Sequence, residues 1–160
     1  MDVTSALEKP SLADILPHAE PMILLSDYDV PEDCDSVTAY VEIDGNAPFY
    51  ESDIGGVPSC VALEYMAQTM ALATGLKRMR SKLLPQVGFI LGSRRLEIDV
   101  PCFLSGSRYR IEVSCTYNDD SFGSFDCKIF DESGCDVARG LLTAFQPEGD
   151  ALSENLEEFK

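Results

Sequence analysis

The 160-residue sequence predicts an α+β fold in which an antiparallel sheet of about six strands wraps one long central helix. Three observations carry this expectation. The stretch from about Pro58 to Lys82 has helical length, and SCVALEYMAQTMALATGLKRMR within it stays apolar around most of its circumference until Lys77. A helix of that pattern is buried on most sides. Downstream lie four strand-like stretches, the later ones joined by the hairpin-length turns NDDS and ESG, which favour antiparallel pairing. Upstream lie two more. A sheet of about six strands does not close around a helix, so a dimer that extends the sheet is expected.

Each element has a local reason. Ser11 suits the N-cap of a short helix, SLADIL, which Pro17 helps to end. PMILLSDYDV reads as a short apolar strand. In SVTAYVEI, Val37, Ala39, Val41 and Ile43 alternate with Thr38, Tyr40 and Glu42, the period of a half-buried strand. DGNAP then breaks the chain. Pro58 suits the first position of the long helix, where its missing N–H costs nothing, and DIGG before it is permissive backbone. Ala67, Ala71 and Gly75 recur every four residues beside Glu64, giving a face small enough for another element to approach. The later strands are VGFILGSRRLEIDV, SRYRIEVSCTY, FGSFDCKIFD and DVARGLLTAF. Residues 1–10 and the acidic 148–160 read as tails around one domain, 11–147, without repeats or an internal linker.

Composition narrows the function. A hydrophobic content of 45% describes a folded chain with a real core. The net charge of −16, from 28 acidic and 12 basic residues, argues against nucleic acid and against anionic membrane surfaces. No apolar run approaches the roughly 18 residues that span a bilayer. The N-terminus lacks the basic and apolar regions of a signal peptide, so a cytoplasmic location is expected. Six cysteines form no CxxC pair and there is one histidine, so no metal site is expected and the thiols read as reduced packing residues. Cations are concentrated at Lys77, Arg78, Arg80 and Lys82, followed by Arg94 and Arg95. They complement the carboxyl end of a helix, or they form a docking patch for an acidic partner.

Three features could carry chemistry. Glu64 stands in an apolar helix, where burial would favour its neutral form and make it a candidate general acid or base. A structural carboxylate bonded within the core is the equal alternative. Gly55 and Gly56 precede the helix, whose free N–H groups suit an oxyanion, although paired glycines more often just permit a turn. His18, the sole histidine, is either a loop residue bonded to backbone or the base that proton abstraction alpha to a carbonyl requires. No GxSxG and no glycine-rich phosphate loop occurs.

In order along the chain, LPHAEPMILL, NAPFY, ALEYMAQTMAL and GFILGSRRLEIDVPCFLSGSRYRIEV resemble the hot-dog-fold 3-hydroxyacyl-acyl carrier protein dehydratases of the FabZ type, and among them the ApeP-like branch associated with aryl-polyene biosynthesis. The resemblance implies a dimer with active sites at the subunit interface, either a homodimer or a heterodimer with a related hot-dog subunit. It implies a phosphopantetheine-linked acyl substrate on acyl carrier protein, no metal or redox cofactor, and dehydration to a trans-2-enoyl thioester. Glu64 of EYMAQ matches the family's acidic residue. Gly55, Gly56 and Val57 match the segment that polarises the thioester carbonyl, with Gln68 as a further substrate-binding position. FabZ-type enzymes carry their histidine in GHFPGxPxMPG just before the helix, whereas ESDIGGVPS here is shorter and has none. His18 of LPH is therefore the expected base, with Asp53 a weaker alternative. An acidic carrier favours Lys77, Arg78, Arg80, Arg94 and Arg95 as its docking residues. An acyl thioesterase and a non-catalytic pairing subunit are the competing readings.

Overall fold

A computed structural model provides the structure of the chain and describes residues 9–119 and 121–147. The expected tails at 1–8 and 148–160 lie outside the described residues. Lys9 and Pro10 are tied to the domain: Lys9 Nζ contacts Asp27 Oδ1 at 2.5 Å, and the Tyr28 hydroxyl donates to the Pro10 carbonyl at 2.7 Å.

The helices are α1 (Leu12–Ile15) and α2 (Ala62–Arg80). The strands are β1 (Asp27–Tyr28), β2 (Ser36–Glu42), β3 (Gly56–Pro58), β4 (Phe89–Ile98), β5 (Cys102–Leu104), β6 (Arg108–Asn118), β7 (Phe122–Phe130) and β8 (Asp136–Phe145). Six strands form one antiparallel sheet in the order β1-β2-β6-β7-β8-β4, and β3 pairs with β5 in a separate two-stranded ribbon. The long helix packs against β2, β6 and β7. This is the hot-dog arrangement, a central helix held in the sheet.

Register explains why the sheet holds the helix. Val37, Val113 and Cys127 lie side by side across β2, β6 and β7, as do Ala39, Ile111 and Ile129, and all six are buried. Period-two alternation delivers these rows to one face. From α2, Tyr65, Met66, Leu72 and Leu76 fill the space over them. Each large apolar side chain buried this way contributes roughly 1.5–3 kcal/mol relative to exposure. Phe103 of β5 closes one end, edge-on to both Tyr65 and Tyr109 with ring centroids 5.3 and 4.9 Å apart.

The structure corrects several expectations. Pro58 is not the first helical residue: its ψ of 140° is extended, it closes β3 opposite Cys102, and a 3₁₀ turn (Ser59–Val61) intervenes before α2. The apolar stretch 21–30 supplies only a two-residue strand, because residues 22–24 are held by α2 instead of a ladder. Short β3 and β5 add to the six strands expected. Ser11 does cap α1, its hydroxyl accepting from the Asp14 N–H at 3.3 Å. The small face of α2 meets α1 at Gly75, where a Cβ would lie 2.5 Å from the Ile15 carbonyl oxygen.

The six cysteines are free. Cys102 and Cys127 are packing thiols, and burial pushes the Cys127 thiol up to about 12. Cys60 and Cys135 are exposed instead. No described helix is long and apolar enough to cross a membrane.

Candidate active site

Two elements bring the candidate acid and base together. After α1 the chain runs as a strap that carries His18 and then turns, the Met22 N–H donating to the Ala19 carbonyl at 2.9 Å, and Glu64 stands in the first turn of α2. His18 Nε2 lies 3.5 Å from Glu64 Oε1, with both side chains partly open at 28% and 39% exposure. Both residues belong to one chain. Glu64 is therefore not the fully buried carboxylate that the apolar helix implied. His18 Nδ1 is buried and meets no hydrogen-bond partner among the described residues.

Gln68, one turn beyond Glu64, is fully buried. Its amide donates to Glu64 Oε1 at 2.9 Å and to the Met22 carbonyl at 2.7 Å, and its oxygen accepts from the Leu24 N–H at 2.9 Å. The strap and the helix are thus joined through one side chain.

The pair opens onto a cleft of about 320 Å³. One wall is the stripe Glu64, Ala67, Ala71 and Thr74, spaced so that each falls on the same helix face. Ala67 and Ala71 leave the room that larger side chains would fill. The facing wall is apolar, with Phe89 and Ile90 of β4, Phe122 and Phe125 of β7, and Phe145 of β8. Phe122 and Phe145 pack with centroids 5.1 Å apart. Gln86, Asn118, Ser121 and Gln146 add polar groups to the lining. Sequence reasoning missed these four. Asn118 and Ser121 had a local signal in the NDDS turn, in which Asp119 Oδ1 accepts from the Ser121 and Phe122 N–H groups; Gln86 and Gln146 had none.

Other expected site residues lie elsewhere. Gly55, Gly56 and Val57 do not line the cleft. The Gly55 and Gly56 N–H groups both point to the Glu51 carbonyl, at 3.0 and 3.4 Å, and Val57 is buried opposite Phe103 in β3. A Cβ on Gly56 would run into the Phe103 carbonyl, so close packing accounts for that glycine. Asp53 is exposed and also outside the cleft.

The basic cluster divides in two. Arg78 donates to the Leu84 carbonyl at 2.6 Å, and Arg80 donates to the Glu32 carbonyl at 3.0 Å and to that of Pro31. Lys77 lies 3.9 Å from Asp35. These cations fasten the end of α2 to neighbouring loops. Arg94 and Arg95 stand exposed on β4, their side chains unpaired among the described residues. Arg95 has a φ of 57° at a bulge in the β4–β8 ladder. No group of His, Cys, Asp or Glu among the described residues is placed to hold a metal ion.

Comparison with known proteins adds the following. A family model described as ApeP-like, ApeP dehydratase, matches residues 10–157. The dehydratase heterocomplex ApeI:P from Xenorhabdus doucetiae superposes with a TM-score of 0.82 at 29% identity, covering 92% of this chain and 98% of that one. Two more distant structures share the fold. The hypothetical thioesterase with coenzyme A from Streptococcus pneumoniae TIGR4 has a TM-score of 0.56 at 16% identity, covering 78% of this chain and 88% of its own. The E. coli PaaI protein from the phenylacetic acid degradation operon has 0.57 at 11%, covering 74% and 81%. No curated protein sequence matches the chain.

Proposed function

Because this chain belongs to the ApeP-like dehydratase family, we propose that its cleft removes water from a 3-hydroxyacyl chain carried as a thioester on acyl carrier protein, leaving a trans-2-enoyl thioester. The observation that carries this reading is the 3.5 Å approach of His18 Nε2 to Glu64 Oε1 beside an apolar-walled cleft. His18 takes the proton from C2 as the C3–O bond breaks. Glu64 protonates the departing hydroxyl, which leaves as water. The proton on His18 then passes to the Glu64 carboxylate and restores both groups. Proton transfer by positioned groups of this kind contributes typically 10²–10⁴-fold to rate. Mass spectrometry of a 3-hydroxyacyl-carrier substrate tests the reading: loss of one water supports it, whereas release of the acyl chain makes the protein a thioesterase and an unchanged substrate makes it a pairing subunit.

The assembly follows from β4, which ends the sheet and exposes Phe89, Ile90 and Leu91. An exposed apolar edge strand is a template for another chain. The ApeI:P neighbour is a heterocomplex, and by analogy a second hot-dog subunit, identical or related, pairs here. Leu91→Lys is expected to shift the assembled protein toward monomer in sedimentation velocity; an unchanged profile places the interface elsewhere.

For the acidic carrier, Arg94 and Arg95 are the docking residues of choice, since the cations at the end of α2 are already engaged. Reversing both charges is expected to weaken carrier binding, and added salt should weaken wild-type binding in the same direction. Binding indifferent to salt and substitution removes them from the docking surface.

A further inference from the structure

Gln68 and Thr69 are the buried polar side chains among the described residues. Thr69 satisfies itself locally, its hydroxyl donating to the Tyr65 carbonyl one turn back at 2.8 Å. Gln68 does the opposite. Two of its three bonds reach the strap at Met22 and Leu24, and the third reaches Glu64. These partners fix the orientation of the amide, because exchanging its oxygen and nitrogen would set oxygen against the Met22 and Glu64 oxygens and nitrogen against the Leu24 N–H. Both N–H donors are occupied, so none remains for a substrate carbonyl.

We infer that Gln68 is a positioning residue that sets the contact between His18 and Glu64. It acts from both sides. By donating to Glu64 Oε1, the same oxygen that faces His18, it holds the carboxylate against the imidazole and leaves Oε2 for the substrate hydroxyl. By bonding Met22 and Leu24 it pins the strap within six residues of His18. This role rests on the acid–base reading above and replaces direct substrate binding by Gln68.

The test pairs kinetics with a signal that needs no substrate. Gln68→Met keeps the length of the side chain and removes its donors and its acceptor. It is expected to lower kcat on the order of a hundredfold with little change in KM, the cost of a displacement of about 1 Å at a catalytic group. The single histidine supplies one imidazole Cε1–H resonance. Glu64→Gln should move that resonance in the wild-type background and by less than half as much in the Gln68→Met background. An equal movement in both backgrounds overturns the inference, whether or not the protein proves to be a dehydratase. Failure of the wild type to dehydrate the substrate, with the spectroscopic difference intact, removes the acid–base reading and leaves the positioning. Where Gln68→Met lacks a cooperative thermal transition, Gln68→Glu takes its place, since it keeps the side-chain length and an acceptor for Leu24 and has no N–H for Glu64.

Discussion

His18→Ala is expected to lower dehydration of a 3-hydroxyacyl-carrier thioester by about three orders of magnitude, within the 10²–10⁴-fold range typical of a general base, without destabilising the fold. An intact fold is what makes the loss of activity decisive. Among the described residues His18 Nδ1 bonds to nothing, and Nε2 meets Glu64 at 3.5 Å. Alanine therefore leaves no buried partner stranded, and the stability change should stay within about 0.5 kcal/mol. Glu64→Gln is expected to lower turnover similarly, and the double variant should be little worse than either single one, because groups acting as a unit are not additive. Activity of His18→Ala within a few-fold of wild type, with unchanged thermal unfolding, would sink the assignment of the base.

Gly75→Ala has the second-largest expected effect, and its direction is not obvious. In a helix interior alanine is better than glycine by about 1 kcal/mol. Here, however, the new methyl would lie 2.5 Å from the Ile15 carbonyl oxygen and 2.7 Å from Ile15 Cγ2. The backbone of α1 has to move, and overpacking of that kind costs about 1–3 kcal/mol. The clash outweighs the propensity gain, so denaturant unfolding should show a net loss of about 1 kcal/mol. Ile15 lies three residues before His18, so the same movement pulls the strap off Glu64, and turnover should fall at least tenfold. A variant more stable than wild type with full activity would mean that α1 has room the structure does not show.

The large features of this fold were legible because they rest on periodicity. The strands β2 and β6 announced themselves by alternation, β7 and β8 by the turns that set them off, and α2 by its apolar circumference. What was not legible depends on tertiary partners. Residues 21–30 look like a strand in isolation, yet Gln68, forty-four residues downstream of Leu24, takes the backbone groups a ladder would have used. Pro58 has the local chemistry of a helix start, and its pairing with Cys102 of β5 decides otherwise. Within the site, Glu64 and His18 stood out as unusual residue types in their settings. Their approach joins the segment that follows α1 to the first turn of α2, forty-six residues apart, and no local pattern encodes that meeting. The small residues of α2 were visible as a face but not as two separate devices: Ala67 and Ala71 line the cleft, and Gly75 admits α1.

The meeting of His18 and Glu64 within a single polypeptide has a consequence for how such a protein can change over time. On the proposed chemistry, a subunit that holds both His18 and Glu64 takes neither proton-handling group from the copy it pairs with. On that footing the partner could lose its own reactive side chains and drift in sequence, provided it still met the proposed interface at β4. A gene duplication would then yield two specialists, one for the reaction and one for shape, with a single working centre in each pair.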